Sequence, residues 1–264
     1  VPCGRCPQVG DWVPPETYPT FWKPEPAFLR AVPAEGPVRD FLTTVNLLTR
    51  ENMDGRRTAL HHAINALLVD TGSWQRMLEL ISELLVWCDE INLTTALHRL
   101  ATTTRSSQRA VAAVKSHPIF PALVHSLPID RGSPRMVGNV AWSLAKLEVT
   151  DDADVLERLM ARASVVLEGS SDFKDQELSN LLWGIATLHQ LGTPAPPAIV
   201  KAIAQDLLLR DKSGFQPQTI SNMLWALAVL EYRDAQVLES LEAEALKQTQ
   251  YFNPQAIANT MWAM

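Results

Sequence analysis

Four tryptophans, Trp142, Trp183, Trp225 and Trp262, each follow an asparagine by three residues: Asn139, Asn180, Asn222 and Asn259. An indole offers a stacking platform to any flat ring, and a carboxamide carries the donors and acceptors that match base edges. Repeated together, they suit a surface that holds single-stranded nucleic acid. They suit packing equally well, with each indole wedged into the next repeat and each Asn bonded to a backbone group at a helix end or loop. Their constancy favours packing, because a surface that tells bases apart must vary from copy to copy. Asn139, Trp142, Asn180, Trp183, Asn222, Trp225, Asn259 and Trp262 are therefore the candidate stacking residues. The variable neighbours are the candidate ligand contacts. Seven before the Trp stand Arg135, Gln176, Gln218 and Gln255; six before stand Glu177 and Thr219; four after stands Lys146.

Other reactive side chains form weaker patterns. Cys3 and Cys6 make a C-G-R-C pair, but they lie in a Pro-rich stretch, and Cys88 stands alone without a second ligand pair. Zinc needs four ligands and a redox pair needs a helix start in a strand-rich setting, so an uninvolved reduced pair is the simpler reading. His61 and His62 are neighbours on a helix pattern and point about 100° apart, which prevents them from clamping one metal. Asp151, Asp152 and Asp154 stand where a helix begins, and the helix dipole accounts for them. No Gly-rich phosphate loop, nucleophile elbow or HExxH motif is present. The expectation is a chain with no catalytic residues, no metal, no cofactor and no small-molecule substrate.

The elements that would position the Asn-Trp motif are helices. The tryptophans are 41, 42 and 37 residues apart, and small residues (Gly138, Ser179, Ser221, Ala258) stand four before each. On a helix of about 100° per residue, the aliphatic places of one copy, Leu178, Leu181, Ile185 and Leu188, fall on one side. The Trp falls on the other, with the Gln, the small residue and the Asn around it. The small residues would let a neighbour approach beside the indole. Amphipathic second helices are expected near 74–87, 116–127, 152–167, 196–209 and 235–248. A weaker ancestor of the motif lies at 91–101, where Asn92 keeps the Asn place and Thr95 replaces the Trp.

A period of this length predicts an all-α protein, an α-solenoid of stacked helix-turn-helix repeats of about 38–42 residues. The predicted organisation is a Pro-rich extended leader over 1–36, with Trp12, Phe21, Trp22 and Phe28 as apolar anchors. An irregular helical pair follows over 37–73, and about five repeats over 74–264, the last truncated. Pro217 and Pro254 fall near the first turn of their helices, where proline is tolerated.

The 264 residues are 47% hydrophobic and 20% charged, enough for a packed core. No apolar run is long enough to predict a membrane span. The net charge is −6: residues 1–130 hold 12 basic and 13 acidic side chains, and 131–264 hold 11 and 16. The acidic excess thus sits in the repeats, which opposes nucleic-acid binding unless the charges are segregated by face. The chain begins at Val1 without an initiator Met, as after removal of a targeting segment, and stops at Met264 inside a motif copy.

The segments NVAWSLAKL (139–147), NLLWGIATL (180–188), NMLWALAVL (222–230) and FNPQAIANTMWAM (252–264) share an N-x-x-W-A-L-A-x-L core. In this they resemble the octatricopeptide repeat family, over residues 74–264. The resemblance implies a non-catalytic organellar protein, of mitochondrion or plastid, that binds single-stranded or ribosomal RNA in RNA stability, processing or translation. It also implies an alternative, a structural subunit of an organellar assembly such as a ribosome, contacting mainly protein. The acidic repeats, the small number of units and the lack of a visible RAP domain weigh against sequence-specific reading and raise that alternative, with RNA binding kept as the first expectation.

Overall fold

The computed structural model of the chain describes residues 53–104, 107–168 and 172–264. The leader, its C-G-R-C pair and the first helix of the expected pair at 37–73 lie outside the described residues. The chain divides into two compact units, Val1–Leu67 and Leu68–Met264. Of the first, the described part is helix α1 (Met53–Asp70), whose last residues belong to the second unit. His62 on α1 is exposed and Ile64 is fully buried.

The second unit is helical throughout its described residues, with no strand among them. It runs α2 (Trp74–Leu84), α3 (Glu90–Thr103), α4 (Gln108–Lys115), α5 (Ile119–His125) and α6 (Pro134–Lys146). It continues through α7 (Ala153–Glu168), α8 (Asp175–Gln190), α9 (Pro197–Leu209), α10 (Pro217–Val229), α11 (Ala235–Gln248) and α12 (Pro254–Ala263). The starts follow from local chemistry. Ser73, Ser133 and Asn253 cap their helices by accepting from the backbone N–H three residues on, and Pro134, Pro197, Pro217 and Pro254 occupy first turns. Asp89 and Asn92 form a reciprocal capping box at α3.

One expected helix differs. The stretch 116–127 is helical only over α5, Ile119–His125, and a separate helix that was not expected, α4, stands before it at Gln108–Lys115. Pro118 supplies no N–H and pushes the residue before it away from helical backbone, so the chain breaks at Ser116–Pro118.

Two rows of helices result. The motif helices α3, α6, α8, α10 and α12 pack each on its predecessor, and α7, α9 and α11 form a second row with its own sequential contacts. Helices α6, α8 and α10 also pack on α7, α9 and α11 of the second row, respectively. Between the rows lies the core: Leu178, Leu181, Ile185 and Leu188 of α8 are buried, as are Leu156, Leu159, Ile203 and Leu207 of the second row. Each such side chain contributes about 1.5–3 kcal/mol by leaving water.

Within the motif row the backbones approach closely. A Cβ added to Gly184 would lie 2.6 Å from the carbonyl carbon of Ala141, and one on Gly138 would collide with the carbonyl oxygen of Glu177. Only hydrogen fits at either point. The motif helices end alike. Glu148 and Glu231, six residues after their Trp, take left-handed backbone (φ 54° and 52°), and Gly192 does so after α8 (φ 99°). This lets the next N–H reach back into the helix, as in Val149 N to Leu144 O at 2.9 Å and Tyr232 N to Leu227 O at 2.9 Å.

Two stability predictions follow from this geometry. Gly184→Ala should lower stability by about 1–3 kcal/mol, since helix backbone must shift to admit a methyl group, and thermal or urea melting would measure it. Glu231→Gly should raise stability by roughly 0.5 kcal/mol in the same assay, the relieved left-handed strain being offset in part by glycine's freedom when unfolded.

Candidate functional site

The parallel, in-register packing of the motif helices brings equivalent side chains into a row. His98, Trp142, Trp183 and Trp225 follow one another with ring centroids 5.0, 6.3 and 6.0 Å apart. The interplanar angles are 31°, 39° and 27°, so each ring leans on the next in a tilted stack. Such pairs are worth about 0.5–1.5 kcal/mol each beyond their burial. The three indoles are half-buried, each keeping part of its surface in solvent. Trp262 is exposed.

Lys146 spans two rungs. Its Nζ lies 4.8 Å from the Trp183 ring centre and 5.8 Å from that of Trp142. Burial pushes the Lys146 ammonium below its ordinary value. Burial first, and the Arg99 guanidinium second, lower the His98 imidazole as well. The cation on this face is therefore partly desolvated and held against aromatic rings, a geometry that gains about 0.5–2 kcal/mol.

Asn139, Asn180 and Asn222 do not cap backbone, unlike Asn92 at the start of α3. Asn180 Nδ2 donates to Asn139 Oδ1 at 3.3 Å across α6 and α8. Asn222 Oδ1 instead accepts from Gln218 Nε2 at 2.9 Å within α10, and Gln218 Oε1 accepts from Asn253 Nδ2 at 3.5 Å. Identical positions of parallel helices thus meet at Asn139 and Asn180, whereas Gln218 links Asn222 of its own helix to the N-cap Asn253 of the next.

The variable positions separate into two groups. Arg135, Gln176, Gln218 and Gln255 are exposed in the first turns of their helices, at one edge of the row. The position six before the Trp does not share that edge. Met136, Thr219 and Ala256 are buried there, and Glu177 folds back so that its Oε2 accepts from Lys174 N at 3.0 Å, capping α8. The backbone of Glu177 is what meets Gly138, so this position faces the preceding helix. Thr219 and Glu177 are accordingly set apart from Arg135, Lys146 and the glutamines.

Two participants went unnoticed in the sequence. His98 terminates the aromatic row from a helix that lacks the Trp. Ser143, Gly184, Ala226 and Ala263, one after each Trp, are uniformly small. Ser143, Gly184 and Ala226 are buried, and at Gly184 that smallness receives the preceding helix. A column of small residues beside an invariant Trp was the available signal for the second; nothing in the spacing marked the first.

Charge is divided between the rows. Helices α6, α8, α10 and α12 carry Arg135, Lys146, Asp175 and Glu177 and no other Asp, Glu, Lys or Arg. Asp175 pairs with Arg210 at 2.9 Å, and Glu177 is engaged in its cap. Helices α7, α9 and α11 hold Asp154, Glu157, Glu168, Asp206, Glu239, Glu242 and Glu244 against Arg158, Arg162, Lys201 and Lys247. The acidic excess thus lies in the second row and the turns.

The remaining titratable clusters are bonded among themselves. Asp152 caps α7 through Val155 N at 3.2 Å and pairs with His125 at 3.0 Å, while Asp151 pairs with Lys115 at 3.5 Å. These side chains rim a cleft of about 290 Å³ that also includes Phe120 and Val149. Burial, with Asp89 nearby, pushes the Cys88 thiol up to about 12, leaving it an unreactive thiol. No protein-family model matches this chain, and no curated protein matches it either.

The depressed Lys146 pKa has a testable sign. The unfolded chain holds this proton more tightly, so the contribution to stability rises as pH climbs through the folded value toward the ordinary 10.5. Urea melting across that alkaline range should give a shallower rise for Lys146→Met than for the parent protein.

Proposed function

We propose that the second unit is an α-solenoid that binds single-stranded RNA along its motif row, without catalysis, in organellar gene expression. The charge partition carries the reading. The repeats are acidic as a whole, but α6, α8, α10 and α12 keep Arg135 and Lys146 as charges outside any ion pair, while both of their carboxylates, Asp175 and Glu177, are engaged. A strand laid along this row would meet the solvent-facing parts of the indoles and exposed Gln176, Gln218 and Gln255 suited to base edges, with two cations, Arg135 and Lys146, both on α6, to meet phosphate. The indoles touch one another, so bases would lie against the row rather than between rungs. The likeness to octatricopeptide repeats supports the organellar setting.

A second reading, a structural subunit of an organellar assembly that contacts mainly protein, is favoured by one observation. The second row, α7, α9 and α11, holds seven acidic side chains against four basic ones, a face that repels a phosphate backbone and leaves protein as its partner.

The two readings part in a filter or anisotropy assay with single-stranded RNA of mixed sequence at rising salt. The first expects saturable binding that weakens with salt, and a log–log slope reduced by roughly 0.7 in Lys146→Met and in Arg135→Gln. The absence of binding at low salt, or equal binding by both variants and the parent, would leave the second reading standing.

A further inference from the structure

Lys146 acts as a ligand that the motif row supplies to itself. It stands four after Trp142 in the last turn of α6, and its Nζ lies 5.8 Å from the Trp142 ring centre and 4.8 Å from that of Trp183 on the next helix. The ammonium thus serves two indoles at once, whose centroids are 6.3 Å apart and whose planes meet at 39°. The negative faces of the rings attract the cation and hold it there.

The next pair of indoles is set in nearly the same way. Trp183 and Trp225 stand 6.0 Å apart with planes at 27°, and both are half-buried, so ring surface is open to a ligand. Four after Trp183, in the last turn of α8, Thr187 takes the place that Lys146 has on α6. Its side chain is too short to span two helices, and its Oγ1 is buried without a hydrogen-bond partner, so it offers the rings no polar head. Neither α8 nor α10 contains a lysine or an arginine, and among the described residues no cation lies over Trp225. The backbone favours one, because the last turn of a helix carries the negative end of its dipole.

We propose that the Trp183–Trp225 pair binds the ammonium of a lysine side chain carried by a protein partner. Lys146, in the equivalent place, sets the chemistry: a positive head on a four-carbon stem. The open flank sets the source. A free amine would bury too little of its surface here to be held, whereas a protein adds contacts beyond the rings. The incoming ammonium stands one helix spacing from Lys146, on the order of 8–10 Å, where physiological salt screens much of the repulsion. The site concerns a protein contact and stands whether or not RNA binds the row.

The probe is a peptide with one lysine flanked by glycines, acetylated and amidated at its ends. It is titrated at constant ionic strength into the full 264-residue chain labelled with nitrogen-15 at tryptophan. Indole N–H resonances, assigned by single Trp→Phe exchanges, read each ring separately. Those of Trp183 and Trp225 should shift saturably, with half-saturation at roughly 1–30 mM. The same peptide acetylated at the lysine Nζ keeps the stem, loses the charge and should give no saturable shift. Thr187→Lys supplies the ammonium within the chain and should weaken the peptide by about tenfold or more. Lys146→Thr makes the first pair a copy of the second, and the Trp142 resonance should then follow the peptide as well. Thermal melting establishes that each variant is folded, and Thr187→Arg serves if Thr187→Lys is not. Four results would overturn the proposal: no saturation up to about 100 mM, equal shifts with the acetylated peptide, undiminished binding by Thr187→Lys, or a Trp142 resonance indifferent to the peptide in Lys146→Thr. So would spermidine saturating the Trp183 and Trp225 resonances at about a hundredth of the peptide concentration, because the occupant would then be a free polyamine.

Discussion

The closeness of α6 and α8 at Gly138 and Gly184 sets the geometry of the row that surrounds it. Two helix backbones that nearly touch cannot slide or rotate against each other without collision, so the register between neighbours is fixed by sterics before any polar contact forms. From that register come the pairing of Asn139 with Asn180 and the leaning of Trp183 on Trp142. The indoles would be a poor device for setting register on their own, since tilted aromatic pairs tolerate a range of offsets. Small residues choose the alignment, and large ones then fill the space beside it.

That division of labour explains why one face of each motif helix is committed to structure and one edge is not. The aliphatic side seals the core against the second row, and the small residues meet the neighbours. What remains is the solvent edge of the rings and the first turn of each helix. Lys146 belongs to that remainder, and its position over two rungs ties its ammonium to the stack itself. A ligand drawn to the ammonium would therefore feel the aromatic faces as well.

Much of the helix plan was legible in the chain. The second helix expected at 235–248 is found as Ala235–Gln248, and the one at 196–209 as Pro197–Leu209, because amphipathic period and proline placement fix such elements locally. The buried side of α8 was legible for the same reason. The break at Pro118 was written in the sequence and outweighed by the apolar pattern on either side of it. The site was less readable. Projecting one helix gives an angle for Thr219 and Glu177, yet it does not say that the preceding helix occupies that angle. The lateral carboxamide contacts depend on two helices at once, and His98 joins the row from a copy that has lost its Trp.

The row of touching rings also bears on how the unit holds its stability. Helices arranged so that each touches chiefly its neighbours behave as a one-dimensional chain, in which order is lent from one link to the next. Trp183 leans on Trp142 on one side and Trp225 on the other, so loosening α8 should weaken both of its neighbours at once. A contact made at one ring would accordingly be felt as greater rigidity in the helices on either side.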